Sequence, residues 1–115
     1  MKIKSIKENH IFRRAYNKGA SAVTPTVVLY TLKGKSTRLG ITVNRKLGGA
    51  VQRNRAKRLI REAFRRLSAE EPQITEKKVS CIVVARTKCF LPKTKSDEVY
   101  SDLRRAFEKL KVISE

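Results

Sequence analysis

The apolar residues between positions 50 and 68 recur at steps of three and four along the chain. At about 100° per residue, this spacing puts them on one side of an α-helix. A helix with such a stripe is stable only when another surface of the protein covers it. The rest of the chain must therefore supply a sheet or further helices that pack on this side. The stripe consists of Ala56, Leu59, Ile60, Ala63, Phe64 and Leu67.

Beside this stripe the same segment carries a row of cations spaced four residues apart, at Arg53, Lys57, Arg61 and Arg65. Asn54 and Arg58 fall on the same outward surface, and Glu62 is the only acid in the segment. Like charges four apart destabilise a helix by a few tenths of a kcal/mol per pair, and a merely solvated face usually mixes both signs. The pattern therefore predicts a helix that is both a core wall and a binding face for an anion.

Positive charge is in excess over the whole chain as well. Its 115 residues include 28 Lys and Arg against 10 Asp and Glu, a net charge of +18. The first 69 residues hold 18 of the cations but only two of the acids, Glu8 and Glu62. Such a charge opposes compaction by self-repulsion and is typical of proteins that bind polyanions. RNA, DNA and an anionic membrane surface are the candidate partners.

The membrane is disfavoured because a surface-seeking helix inserts its apolar side into lipid, whereas this apolar side is needed for the core. Charge alone does not separate RNA from DNA, since both offer phosphates. Phe12, Tyr16 and Tyr30 favour RNA or a single strand, because aromatic rings beside a basic surface can stack on unpaired bases. The alternative is that all three rings belong to the core.

The segments that flank the basic helix have patterns of their own. Residues 5–18 predict a helix, because Ser5 and Glu8 fit a capping box and Gly19 can end it. A proline just beyond residues 20–24 limits that stretch to a short edge strand.

Three more elements follow from composition and spacing. Residues 26–32 and 38–43 are rich in β-branched and apolar residues and predict two strands joined as a hairpin. Residues 79–85 lack alternation, which predicts a strand buried on both faces. Ser96 and the two acids after it predict the start of a last helix, since acids favour the positive end of the helix dipole.

The element order predicts an α+β fold, a two-layer sandwich of helices on a small mixed sheet in the order α-β-β-β-α-β-α. Strand 38–43, helix 50–68 and strand 79–85 form a β-α-β unit, which predicts parallel neighbouring strands. The length of the chain fits one domain over residues 1–115.

The chemistry-bearing residues argue against a catalytic or metal-binding protein. Cys81 and Cys89 are too few for a disulfide framework or a zinc site, and His10 is the only histidine. Free thiols, no apolar run long enough to span a bilayer and no signal-peptide pattern predict a cytoplasmic protein without a membrane partner. Asp97, Glu98 and Asp102 are expected to complement the dipole of the last helix rather than to hold a metal.

The segment "AVQRNRAKRLIRE", residues 50–62, strongly resembles the signature of the bacterial ribonuclease P protein component. The order of "NHIFRRAYNKG", "VVLYTL", "LGITVNRKLGGA" and "CIVVAR" agrees with that family over nearly the whole chain. The resemblance implies a ribosomal-protein-like domain with a left-handed β-α-β crossover. It also implies a protein, monomeric in the holoenzyme, that binds a catalytic RNA and precursor tRNA and assists removal of the 5′ leader. The RNA then supplies the active site and its Mg²⁺, and the protein binds no cofactor and has no catalytic residue.

The resemblance also implies roles for particular residues. It places on the surface that meets the catalytic RNA the residues Arg45, Lys46, Arg53, Asn54, Arg55, Lys57, Arg58 and Arg61, and Arg65 continues their row. It places in a cleft for the single-stranded leader the residues Phe12, Tyr16, Val28 and Tyr30. Two positions depart from the family pattern: Ser5 stands where an arginine is common, and Ala56 stands where a larger aliphatic residue is common.

Overall fold

The structure, a computed structural model, describes residues 4–6, 9–34, 37–76 and 78–110. The strands are β1 (Lys4–Ser5), β2 (Ala20–Val23), β3 (Val27–Lys33), β4 (Arg38–Thr42) and β5 (Val79–Ala85). The helices are α1 (Asn9–Lys18), α2 (Ala50–Glu70), α3 (Gln73–Glu76) and α4 (Ser96–Lys109). Two 3-10 turns, Arg45–Leu47 and Thr87–Phe90, precede α2 and α4.

The five strands form one mixed sheet in the order β1-β4-β5-β3-β2. Strands β4 and β5 are parallel, with Ile41 opposite Val83, so the predicted parallel β-α-β unit is confirmed. The predicted hairpin of β3 and β4 is wrong, because β5 lies between them and pairs with both. Strand β5 is buried along nearly its whole length, and a strand apolar on both faces is most stable in the centre of a sheet.

The main core lies on one face of the sheet, where α2 and α4 pack side by side. Five of the six residues of the predicted stripe are buried and the sixth, Leu59, is half-buried. Phe64 of α2 meets Phe107 of α4 with ring centroids 6.1 Å apart. The apolar side of α2 is therefore fully used by the core. Its opposite side is left to solvent.

Helix α1 packs on the other face of the sheet, so helices cover both faces. Ala15 and Ile82 are buried there, together with Ile6 at the end of β1. The predicted capping box is wrong, because Ser5 lies in β1, in register with Leu39 of β4. The described helix spans Asn9–Lys18, and Glu8 lies outside the described residues. The predicted stop is confirmed: α1 ends before Gly19, whose N–H donates to the Ala15 carbonyl at 2.9 Å.

One buried carboxylate ties α4 to the sheet. Asp102, 8% exposed, accepts hydrogen bonds from the Thr26 backbone N–H at 3.0 Å and from its hydroxyl at 2.7 Å. Thr26 immediately precedes β3 and is itself fully buried. Because buried polar groups need partners, this pair fixes the position of α4 against the start of β3.

Candidate nucleic-acid interface

A short connection with a 3-10 turn joins the end of strand β4 to the start of α2. Asn44 caps the intervening 3-10 turn by accepting a hydrogen bond from the Lys46 N–H at 2.9 Å, and Gln52 accepts from the Gly49 N–H at 2.8 Å. These contacts order the short connection, so Arg45 and Lys46 lie exposed at its surface. The connection and the outer side of α2 form one continuous cationic region, which we call the basic face.

The basic face contains residues from the turn and from four successive turns of α2. Asn54, Arg58, Arg61 and Arg65 are exposed, and Arg53 and Lys57 are half-buried. Among the described residues, none of its lysines and arginines forms an ion pair with an acidic side chain, and Glu62 takes part in no ion pair either. The cations of the basic face are thus available to an external anion, as the sequence predicts.

The acids lie elsewhere, at the C-terminal end of α2 and along α4. Arg66 contacts Glu70 and Asp97, both at 3.2 Å. Arg104 contacts Glu71 at 2.7 Å, and the Tyr100 hydroxyl donates to Glu70. That hydrogen bond is the main cause that lowers the pKa of Glu70 below its ordinary value. Positive charge is therefore neutralised at this end of α2 and left unneutralised on the basic face.

Arg55 differs from the other arginines of the motif. Its guanidinium is directed at the loop before α4 and donates to three backbone carbonyls, those of Leu91 at 3.1 Å, Pro92 at 3.2 Å and Thr94 at 2.5 Å. The resemblance places Arg55 among the residues that meet the catalytic RNA, and the structure adds that its guanidinium contacts three carbonyls of this loop within 3.2 Å. The spacing of the sequence contains no signal for that contact.

The three aromatic residues of the predicted cleft do come together, between α1 and the sheet. The rings of Tyr16 and Tyr30 meet edge to face with centroids 4.9 Å apart, and Phe12 lies 6.4 Å from Tyr16. Phe12 and Tyr30 are half-buried and pack on the small core beneath α1, whereas Tyr16 is 42% exposed. Two of the three rings thus contribute to the core, and the third is exposed to solvent.

The floor of the cleft is made by alternate residues of neighbouring strands. Val28 of β3 lies opposite Val84 of β5, which lies opposite Thr42 of β4, and Val28 and Val84 are half-buried. The Thr42 hydroxyl is 3.2 Å from the Tyr16 hydroxyl. Sequence reasoning missed Thr42 and Val84, although the alternation of side chains along a strand puts them on the same face as Tyr30.

The two departures from the family pattern are accommodated without disturbing the fold. Ala56 is fully buried in the main core beside Ile60. Ser5 is exposed on the edge strand β1, and its backbone carbonyl accepts a hydrogen bond from the guanidinium of Arg38 at 2.9 Å.

The groups considered for metal binding or redox chemistry are dispersed. Among the described residues, no group of three or more His, Cys, Asp and Glu side chains could hold a metal ion. Asp97 pairs with Arg66, Glu98 lies 4.0 Å from Lys88, and Asp102 is turned inward to Thr26. Burial raises the pKa of both buried cysteines, to about 12 for Cys81 and about 11 for Cys89. No helix in the described part of the chain is long and apolar enough to cross a membrane.

A mixed sheet with helices on both faces, an unneutralised basic face and a nearby cluster of aromatic rings are features of small basic proteins of the RNA-binding class. The family model described as Ribonuclease P matches residues 1–111. The ribonuclease P protein component of an Exiguobacterium species is 38% identical over 109 residues, which cover 93% of this chain and 90% of that protein. The one from Clostridium acetobutylicum is 35% identical over 114 residues, covering 96% and 87%.

Solved structures agree. The RNase P protein of Staphylococcus aureus matches with a TM-score of 0.79 and 34% identity, covering 98% of this chain and 100% of that one. The RNase P protein of Thermotoga maritima matches with a TM-score of 0.75 and 28% identity, covering 89% and 93%. The chain belongs to the bacterial ribonuclease P protein family, and is thus a component of the ribonuclease P holoenzyme, an endoribonuclease.

Proposed function

We propose that this chain binds the catalytic RNA of ribonuclease P through its basic face and the 5′ leader of precursor tRNA through its cleft, and so assists leader removal. The observation that carries the proposal is the row of cations on α2 that has no acidic partner among the described residues. The residues that would contact the catalytic RNA are Arg45, Lys46, Arg53, Asn54, Lys57, Arg58, Arg61 and Arg65. Arg55 takes a different part, since its half-buried side chain is hydrogen-bonded to backbone carbonyls of the loop before α4.

The physical work of the basic face would be charge neutralisation and positioning. Phosphates of two RNA molecules repel each other when they approach, and cations placed between them lower that repulsion and release bound counterions. Substrate and the Mg²⁺ of the RNA active site can then bind at lower concentrations. The chemistry itself would be carried by the RNA, and the protein, as one monomer in the holoenzyme, would supply no catalytic group.

The cleft adjoins the basic face, which suits a strand that leaves an RNA surface. Thr42, the last residue of β4, touches Tyr16 in the cleft, and the turn with Arg45 and Lys46 follows within three residues. A single-stranded leader in the cleft could stack a base on the exposed ring of Tyr16, an interaction worth about 1–3 kcal/mol. Its phosphates would then pass the two cations of the turn.

Reconstitution tests the proposal. The protein is added to the folded cognate catalytic RNA at moderate Mg²⁺, and cleavage of a precursor tRNA is followed by gel electrophoresis. We expect faster release of the 5′ leader with the protein than with the RNA alone. A rate that the protein leaves unchanged, with RNA shown to be folded, would contradict the proposed function.

Two other uses of the same surface make different predictions. A ribosomal or general RNA-binding protein would bind structured RNA but leave the processing reaction unchanged. A DNA-binding module would prefer duplex DNA to leader-bearing RNA in a competition experiment. The two nucleic acids are compared at equal salt, because both bind through their phosphates and this part of the affinity depends on salt. One competition experiment alongside the reconstitution separates the three.

A further inference from the structure

The loop between β5 and α4, residues 86–95, is closed by its own hydrogen bonds. The Cys89 N–H donates to the Arg86 carbonyl at 2.9 Å, and the Leu91 N–H donates to the Lys88 carbonyl at 3.2 Å. Thr94 is buried and closes the loop twice, donating its N–H to the Leu91 carbonyl at 3.1 Å and its hydroxyl to the Lys88 carbonyl at 2.6 Å. The loop is therefore an ordered unit with a defined inner side.

The outer side of this loop is cationic. Arg86, Lys88, Lys93 and Lys95 are all exposed. Lys93 and Lys95 flank Thr94, whose carbonyl accepts the hydrogen bond from Arg55. These two lysines thus lie beside α2, where Arg58 is one helical turn further along.

Among the described residues, Arg55 is the residue of segment 50–62 whose side chain hydrogen-bonds to this loop. The guanidinium carries five donors in a rigid planar fork, and here two of its nitrogens reach the carbonyls of Leu91, Pro92 and Thr94. A lysine carries the same charge but has a single nitrogen on a flexible stem, so it cannot span the three acceptors in this way. The type of residue, and not only its charge, is what the contact requires.

We propose that Arg55 is a positioning residue, which holds residues 91–94 against α2 so that Lys93 and Lys95 extend the basic face onto a second element. The inference rests on the proposed function for its RNA-binding part, whereas the holding of the loop stands on the hydrogen bonds alone. Cations on a held loop bind phosphates better than cations on a free loop, because less conformational entropy is lost on binding.

A thiol-labelling experiment tests whether Arg55 holds the loop. Cys89 is buried in the 3-10 turn at the start of this loop, and Cys81 is buried in the central strand β5. Alkylation of both at pH 8 is followed by mass spectrometry in the wild type, in Arg55→Lys and in the matched control Arg58→Lys. Both substitutions keep the charge. A cation that moved away from Cys89 would raise the pKa of the thiol and slow alkylation, so faster alkylation reports opening of the loop and not electrostatics.

We expect Cys89 to react about tenfold faster in Arg55→Lys, with Cys81 unchanged, because local opening exposes only the loop. Arg58→Lys should leave both rates unchanged. A Cys89 rate that Arg55→Lys does not alter would overturn the proposal. If the alkylation rate of Cys81 rises equally, the variant has unfolded. The proposal is then tested by a second measurement, which leaves Arg55 intact.

That measurement is the salt dependence of catalytic-RNA binding by the double variant Lys93→Ala, Lys95→Ala. Loss of two phosphate contacts should reduce the slope of log K against log salt by about 1.4–1.8. An unchanged slope would overturn the assignment of these lysines to the basic face.

A double-mutant cycle then measures whether Arg55 acts on RNA binding through Lys93 and Lys95. Arg55→Lys alone should weaken binding of the catalytic RNA by about three- to tenfold, but should add nothing in the background that lacks both lysines. Additive losses would mean that Arg55 contacts the RNA directly, and would overturn its positioning role. If the wild-type protein does not bind the RNA, the proposed function fails and the RNA-binding part fails with it, while Cys89 labelling still decides whether Arg55 holds the loop.

Discussion

Tyr16 of α1 and Tyr30 of β3 meet edge to face, with their ring centroids 4.9 Å apart, and this contact joins the wall of the cleft to its floor. The hydroxyl of Tyr16 is further fixed by Thr42 at 3.2 Å. Edge-to-face pairs are favourable beyond the apolar area that they bury, by about 0.5–1.5 kcal/mol. Tyr16 is therefore held in one orientation although it is 42% exposed, and the base stacking that we propose for it would cost little side-chain entropy.

Tyr16→Ala should weaken binding of a leader-bearing precursor tRNA by about 1–3 kcal/mol, the range for loss of one base–aromatic stack. Binding of mature tRNA, which lacks the leader, should be unchanged. Tyr16→Phe keeps the ring and loses only the hydroxyl contact with Thr42, so it serves as the control and should retain most of the affinity. Equal losses for precursor and mature tRNA, measured by fluorescence titration, would contradict the cleft assignment. Tyr30→Ala should likewise weaken the binding of precursor tRNA more than the binding of mature tRNA.

Arg58→Ala should reduce the affinity for the catalytic RNA and lower the salt slope of binding by about one phosphate contact. The reason is that Arg58 is exposed on the basic face and has no acidic partner among the described residues. Arg66→Ala is the matched control, because Arg66 lies on the same helix but is paired with Glu70 and Asp97. Slopes that fall equally for the two variants, in filter-binding assays over a series of salt concentrations, would show that position on α2 does not matter.

Gly40→Ala should disturb the cleft from beneath. A Cβ at Gly40 would lie 2.8 Å from Cζ of Phe12, so the ring must move. Overpacking of this kind costs about 1–3 kcal/mol of stability, measured by urea unfolding. Gly49→Ala, where the nearest atom would be 4.0 Å away at the end of the Gln52 side chain, should cost clearly less. Similar losses for the two would show that the packing of Phe12 against β4 contributes little.

Asp102→Ala should destabilise the protein by about 1–3 kcal/mol, since it leaves the buried N–H and hydroxyl of Thr26 without their acceptor. Asp97→Ala provides the comparison within the same helix. Its side chain is 84% exposed and pairs with Arg66 at the surface, and such pairs contribute little. The order of the two denaturation midpoints is the test, and a larger loss for Asp97→Ala would refute the structural role of Asp102.

Glu70→Gln should lower stability at neutral pH, and the difference from the wild type should shrink as the pH falls through the acidic range. The pKa of Glu70 is lowered in the folded protein by its hydrogen bond from Tyr100, then by Arg66. A carboxylate with a lowered folded pKa stabilises the fold above its unfolded pKa, and this contribution disappears as the pH falls through the folded pKa. Thermal unfolding followed between pH 7 and about pH 3 would show a constant difference if the carboxylate has no such role.

Helices α2 and α4 and the central strand could be predicted closely, because their signals are local. Periodicity predicted a helix over 50–68, and α2 spans Ala50–Glu70. The run without alternation at 79–85 coincides with β5, and α4 begins at Ser96 as its acidic first turn indicated. Such patterns depend on residues within about two helical turns of each other, so no knowledge of distant contacts is needed.

The expectations that failed concern pairing over long distances. A capping box at Ser5 was reasonable from spacing, but the edge of β4 offers this segment a parallel partner instead. A hairpin of β3 and β4 was reasonable from proximity in the chain, but β5 inserts between them. In both cases a strand that is remote in sequence competes for the same backbone hydrogen bonds, and pattern alone does not contain that competition.

Arg55 and Arg58 show the same difference between local and long-range information at the candidate site. By itself the sequence determined how many cations the central helix carries. It also determined that the apolar stripe turns inward, because helical periodicity puts those residues on one side. Only the tertiary structure decided which of these arginines has hydrogen-bond partners within the protein. The acceptors that hold Arg55 come from residues 36 to 39 positions further along the chain, and they reach it only when the loop before α4 has packed against α2.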